Sequence, residues 1–279
     1  MLGCRFAYVG RMTTVANIAA AIARIAPPEL AEDWDNTGLL LGDPRSPVTK
    51  VMTCLTITPE SATEAIDNGA QLIASHHPLP FRAVKQITTT TRDGELMWRL
   101  ARAGVAVYSP HTAFDSAAEG INRRLAERLG LVDIAPLTPN TTDPTVGAGR
   151  VAKPPAPLST GELCQIIRQA FGQHTVRYTV RYTGDEHQRI NRIGFACGSG
   201  GSLLDAATAA GCDALVTGEA TFHTCLAAES AGVALVLMGH YASERFAVEW
   251  LAEKLSTELP EVEFWASKQE QDPLQTMGP

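Results

Sequence analysis

At 279 residues the chain is longer than one average domain and can enclose a sizeable core. Hydrophobic residues at 45% and charged residues at 19% are globular proportions and argue against a disordered or fibrous chain. A net charge of −7, with the Lys and Arg residues scattered, argues against general nucleic-acid or anionic-membrane binding, which needs a clustered basic surface.

Met12 precedes Thr13-Thr14 and an amphipathic run, so residues 1–11 read as a mis-assigned start or a loose tail. The N-terminus lacks a signal-peptide pattern, and no run approaches the ~20 apolar residues of a membrane span, which places the chain in the cytoplasm. Val15, Ile18, Ala19, Ile22 and Ile25 share one helical stripe that Thr14 can cap and Pro27-Pro28 ends. Val51–Ile57 reads as a buried strand, Thr58-Pro59 opens a helix that ends at Gly69, and Gln71–Ser75 is the next strand. Gly94–Ala103, capped by Asp93 and closed by Gly104, is a helix. It precedes a strand at Val105–Tyr108 and a helix at Glu119–Leu129. That β-α-β-α-β-α order predicts a mostly parallel sheet.

Residues 131–158 change character, because six prolines from Pro136 to Pro157 punctuate a Thr-rich stretch. Ser159 and Glu162 form a capping box for the helix that follows, and Val176, Tyr178, Val180 and Tyr182 alternate as in a half-solvated strand. Strands at Arg192–Cys197, Ala214–Thr217 and Val233–Met238 then alternate with helices at Leu203–Ala210, Phe222–Ser230 and Ser243–Leu255. The expected division is an N-terminal α/β lobe over 1–135, a linker-like segment over 136–158 and a C-terminal α/β lobe over 159–279. The six cysteines lie far apart without a Cys-x-x-Cys pair and read as reduced, mostly buried thiols.

Five of the seven histidines follow predicted strands or strand-helix turns. His76-His77, His111 with Asp115, and His240 with Glu244 each follow a strand, and ligands of open parallel sheets bind at the carboxyl ends of strands. His240 and Glu244 are four apart at a helix start and can share an ion. His76 and His77 diverge enough to reach two ions, and one of His111 and Asp115 can ligate while the other orients it. Imidazole and carboxylate without thiolate suit Zn, Mn, Fe or Co. Two such ions ~3.5–4 Å apart would activate a water near neutral pH. Glu219 either joins this rim or caps the helix at Thr221, and His223 either joins it or packs on its own helix. Gly198-Ser199-Gly200-Gly201-Ser202 is either an anion nest or a tight turn. Trp34-Asp35-Asn36-Thr37-Gly38 reads as a turn with a buried aromatic and no chemical role.

Six segments occur in the order typical of one family: Trp34-Asp35-Asn36-Thr37-Gly38-Leu39, Ser75-His76-His77-Pro78-Leu79, His111-Thr112-Ala113-Phe114-Asp115, Gly198-Ser199-Gly200-Gly201, Thr217-Gly218-Glu219 and Gly239-His240-Tyr241-Ala242-Ser243-Glu244. The chain thereby resembles the GTP cyclohydrolase I type 2 homologues, also called the Nif-three-like proteins, from about Ile18 to Leu255. The resemblance implies two related α/β lobes with a dinuclear metal site between them. Its ligands match His76, His77, Asp115, His240 and Glu244 here. It also implies a ring-shaped homohexamer, in the compact form without the inserted domain. Where that family carries Leu-Asp this chain has Leu55-Thr56, and its Gly-x-Gly-Arg element survives as Gly147-Ala148-Gly149-Arg150.

Two functions compete: a metal-dependent hydrolase, with GTP among the substrates the family name suggests, and a non-catalytic metal-binding or regulatory interaction protein. Arg82 and Arg245 are the candidate substrate-binding arginines. The scarcity of basic residues near the rim weighs against a triphosphate.

Overall fold

A computed structural model describes residues 12–172 and 179–275. The tail 1–11 and positions Val176 and Tyr178 of the expected half-solvated strand lie outside the described residues. In chain order the elements begin with α1 (Val15–Ile25), β1 (Gly38–Leu41), β2 (Lys50–Cys54), α2 (Pro59–Asp67), β3 (Leu72–Ser75), α3 (Arg92–Ala103), β4 (Ala106–Ser109), α4 (His111–Ser116) and α5 (Ile121–Arg128). They continue with β5 (Val132–Ala135), β6 (Thr138–Pro139), β7 (Gly147–Ala148), β8 (Arg150–Lys153), β9 (Leu158–Ser159), α6 (Thr160–Phe171), β10 (Arg181–Tyr182), β11 (Arg189–Ile190) and β12 (Ile193–Ala196). The last are α7 (Leu204–Ala209), β13 (Ala214–Thr217), α8 (Phe222–Ser230), β14 (Ala234–Leu237), α9 (His240–Glu258) and β15 (Glu263–Ala266).

Local chemistry accounts for the helix ends. Thr58 accepts from the Ser61 N–H at 3.2 Å and Pro59 occupies the first helical position of α2. Helix α3 starts two residues earlier than Gly94 because Thr91, not Asp93, is the cap, accepting from the Gly94 N–H at 3.2 Å. Asp93 then sits in the first turn, where its charge favours the helix dipole. Gly104, at φ 71°, closes that helix in a conformation that disfavours a side chain.

The described residues form a mixed α/β fold with parallel strands at the centre of two large sheets. One has the order β1-β4-β3-β2-β15, parallel except at β1. The other has the order β10-β14-β13-β12-β8-β5, with β12, β13 and β14 parallel and antiparallel strands outside them. Within the expected connector 136–158, β8 joins the second large sheet, paired with β5 of the preceding segment. The connector's prolines other than Pro139 fall outside the strands, where a missing N–H costs no ladder bond. Strand β15, absent from the sequence expectation, returns to pair with β2.

Helix α9 closes the first core: Ala247, Leu251 and Leu255 pack with Ile18 and Ile22 of α1 and with Val51 and Leu72. Phe246 touches this core and the one under β12 to β14. Cys54, Cys164, Cys197 and Cys212 are buried free thiols, and Cys225 is half-buried. Among the described residues no helix is long and apolar enough to cross a membrane.

Candidate metal centre

The loops after β2, β3, β4, β12 and β14 all line one cavity of about 610 Å³, so the carboxyl ends of parallel strands in both sheets open on it. Its size is that of a small-molecule site.

Two groups of side chains there could hold a metal ion, His76 with His77 and His111, and His77 with His240 and Glu244. The Glu244 carboxylate is central. Its Oε1 lies 3.8 Å from His76 Nε2, and its Oε2 lies 3.2 Å from His77 Nε2 and 3.0 Å from His240 Nε2. Asp115 Oδ1 stands 3.6 Å from His76 Nε2 and accepts from the Cys197 thiol at 3.2 Å. Burial opposes the charge on Glu244. The charge of His76 and the close His240 and His77 imidazoles overcome that and hold its carboxyl well below the usual range. Burial pushes the Asp115 carboxyl up despite His76 nearby. The hydrogen bond to Glu244 raises His240 to about 9 although burial works against it.

The residues fit a metal on one further observation. Both ring nitrogens of His76 are buried without a hydrogen-bond partner among the described residues. An imidazole left so is costly unless a ligand completes it. Nitrogen and oxygen donors without thiolate among the two groups match borderline divalent ions.

The remaining ring nitrogens are fixed from behind. His240 Nδ1 lies 3.0 Å from Glu219 Oε1, which also accepts from Ser199 Oγ at 2.6 Å. Glu219 therefore belongs to the site, and Thr221 caps α8 with its own side chain. His223 is exposed beside Phe222. Asp35 was missed by sequence reasoning. Its Oδ1 lies 2.7 Å from His111 Nδ1, and its Oδ2 accepts from the Thr112 hydroxyl at 2.5 Å. Burial opposes the Asp35 charge, but the bonds to His111 and Thr112 lower it to about 2. His111 itself has φ 29°, a strained backbone of the kind concentrated at functional sites. Trp34, expected to be buried, is 63% exposed at the cavity mouth, because Asp35 rather than the indole anchors the turn.

Thr56 stands behind His77, its Oγ1 2.7 Å from Nδ1. The Thr56 and Leu55 N–H groups donate to Glu270, which is paired at 3.0 Å with Arg245. Arg245 is thus committed to Glu270 and to the Ser267 carbonyl at 2.6 Å. Arg82 is exposed, and among the described residues the arginine lining the cavity is Arg92. We expect Thr56→Val to weaken metal binding about tenfold without changing the circular dichroism, because it frees the ring that Thr56 orients. Unchanged affinity in a competition titration with a chromophoric chelator would show that the ring is set elsewhere.

The glycine run is a close approach rather than an open nest. A Cβ on Gly198, at φ +59°, would meet Glu244 Oε1 at 2.3 Å. The Gly198 N–H donates to Ser243 Oγ at 2.9 Å and that of Gly200 to Thr217 Oγ1 at 3.0 Å.

A family model described as Duf34/NIF3 (NGG1p interacting factor 3) matches residues 13–273. The chain is 33% identical to a Clostridium perfringens protein named GTP cyclohydrolase 1 type 2 homolog, over 95% of this chain and 99% of that one. It is 32% identical to the Schizosaccharomyces pombe protein NIF3 homolog, over 94% and 99%. Among solved structures it is similar to Staphylococcus aureus protein SA1388, with a TM-score of 0.83, 26% identity and coverage of 95% and 99%.

Proposed function

The chain belongs to the Duf34/NIF3 family, and from that premise we propose that it is a dinuclear metal-dependent hydrolase acting on a small molecule in the cavity. His76, His77, Asp115, His240 and Glu244 would hold two divalent ions of the Zn, Fe, Mn or Co type, with His111 close enough to join them. When bound, such ions supply Lewis-acid polarisation and an activated water near neutral pH.

The chain's own residues do the rest. Glu244 and Asp115 offset the positive charge. Glu219, Thr56 and Asp35 fix the rings of His240, His77 and His111. With Nδ1 of His111 engaged by Asp35, its Nε2 is the nitrogen free to ligate or to move a proton. The supporting observation is the buried, unpartnered imidazole of His76 beside two carboxylates.

The test is a turnover screen of the metal-loaded protein against nucleotides, phosphodiesters and cyclic amides. Activity on one class, abolished by chelation, is expected. Two metals per chain by elemental analysis is the companion expectation, and near-zero content unrestored by Zn, Mn or Fe would defeat the site. The relatives' name makes GTP one candidate in that screen.

A second reading, a non-catalytic metal-binding interaction protein, draws on exposed Phe222 and Leu226 one turn apart on α8. Metal-loaded protein inert across the whole screen would favour it. A ring-shaped homohexamer is part of the proposal, and light scattering that gives a monomer at micromolar concentration would remove it.

Metal uptake should also release protons. His240, held up to about 9 by its bond to Glu244, is protonated at neutral pH in the metal-free protein, and ligation requires the neutral ring. Being raised, its contribution to metal-free stability is complete below the ordinary histidine value and fades as pH rises through about 9. Apparent metal affinity therefore climbs with pH across that window. In weak buffer at pH 7, adding Zn should release about one proton from this ring. A pH-independent affinity between 7 and 9 would contradict the ligand assignment.

A further inference from the structure

Two large aromatic side chains stand exposed in the mouth of the cavity. Trp34 is 63% and Phe81 46% exposed, their centroids are 6.1 Å apart, and both belong to the cavity wall. The His111 ring lies 6.1 Å from Trp34 and 5.7 Å from Phe81, which makes the pair continuous with the histidine cluster.

Neither loop is held by its aromatic. Asp35, next to Trp34, accepts from the Thr112 N–H at 3.1 Å and its hydroxyl at 2.5 Å. Asn36 Nδ2 donates to the Pro80 carbonyl at 2.7 Å and so ties the Trp34 loop to the one that carries Phe81. The backbone is braced by polar bonds while the indole and phenyl rings stay largely exposed. That is the arrangement of a preorganised stacking surface rather than of a core. The rim supports a ligand without a polyphosphate tail, since Glu32 and Asp93 line it against Arg92.

We propose that the cavity takes a planar heteroaromatic ring the size of a nucleobase, stacked on the Trp34 indole, with Phe81, tilted 41° to it, closing the side and the ring's edge toward the histidine cluster. The inference rests on the small-molecule reading of this site and names the substrate class. Aromatic stacking on a base tolerates many ring identities, because every such ring presents a π face, but it requires planarity.

The experiment is calorimetric titration of the zinc-loaded full chain with guanosine, uridine and 5,6-dihydrouridine. The last keeps the carbonyls and N–H of uridine but has a puckered, non-aromatic ring. Guanosine and uridine should bind, dihydrouridine at least about tenfold more weakly. Trp34→Ala should lose about tenfold in guanosine affinity, and Trp34→Phe should recover most of it, with zinc content unchanged in both. Because Trp34 is exposed, its removal should leave the fold intact.

Equal binding of uridine and dihydrouridine, an unaltered Trp34→Ala, or no nucleoside binding at millimolar concentration would overturn the proposal. The outcome is separable from the hydrolase reading. Stacking-dependent binding without turnover of any compound would sink the hydrolase and leave the stacking surface. Chelator-sensitive turnover of a non-planar substrate that ignores Trp34→Ala would do the reverse.

Discussion

Glu244→Gln is expected to release both metal ions, lowering affinity by more than about 100-fold, beyond the range seen for partners that only orient a ligand. The two oxygens of Glu244 face different histidines, Oε1 toward His76 and Oε2 toward His77 and His240. Glutamine keeps the shape but removes the charge that would offset two cations held close together, and its NH₂ cannot ligate. A histidine contributes one nitrogen to one ion, so His77→Ala should lose mainly one. Elemental analysis after dialysis compares the two variants, with circular dichroism confirming that each is folded. Should Glu244→Gln keep two ions while His77→Ala loses both, Asp115 rather than Glu244 would be the carboxylate shared between the two ions.

The second large effect is on stability. Arg150, the largest fully buried side chain among the described residues, is 1% exposed and donates to Gly147 O at 2.7 Å, Gly149 O at 2.6 Å, Ser116 O at 3.2 Å and Ala117 O. Burial lowers its guanidinium to about 10, which still leaves it charged at neutral pH. The acceptors from Ser116 and Ala117 lie at the end of α4, where carbonyls lack helical partners and favour a cation. Arg150→Met fills much of the volume but removes all four hydrogen bonds, and although Ala117 O keeps the Gly120 N–H and Gly149 O the Leu137 N–H, the loss should cost about 3 kcal/mol. For a chain this long that corresponds to a fall in Tm of roughly 10 °C. Arg150→Lys should not restore it, because one ammonium cannot reproduce a planar five-donor fork. A loss below about 1 kcal/mol in urea unfolding would show that the carbonyls find water instead.

Arg150 also illustrates the limit of linear reading. In sequence it looks like the end of a loop element in a proline-rich connector, yet it lies on β8 between β12 and β5, with its side chain against α4. Asp35 is a second case. It is 76 residues from His111, and nothing in its turn-like neighbours indicates that its carboxylate sets an imidazole. Thr56 is a third. Its hydroxyl sits in a short polar stretch after a strand, and its service to His77 becomes visible only once β2 and β3 are neighbours.

The sequence by itself determined what depends on near neighbours. The apolar stripe of α1, the caps at Thr58 and Ser159, the glycine stops and the strand-helix alternation all act within a few residues, and each is found in the structure. So is the pairing of His240 with Glu244, since four residues on a helix make one turn. Tertiary structure decided which separate loops meet. That choice follows from strand order and from β15 returning beside β2, and it brings Glu270 to Thr56 across 214 residues and His77 to His240 across 163. Contacts of that length are fixed by burial of whole sheet faces and of α9. Such burial is a collective and non-directional quantity that leaves no spacing in the chain to be read.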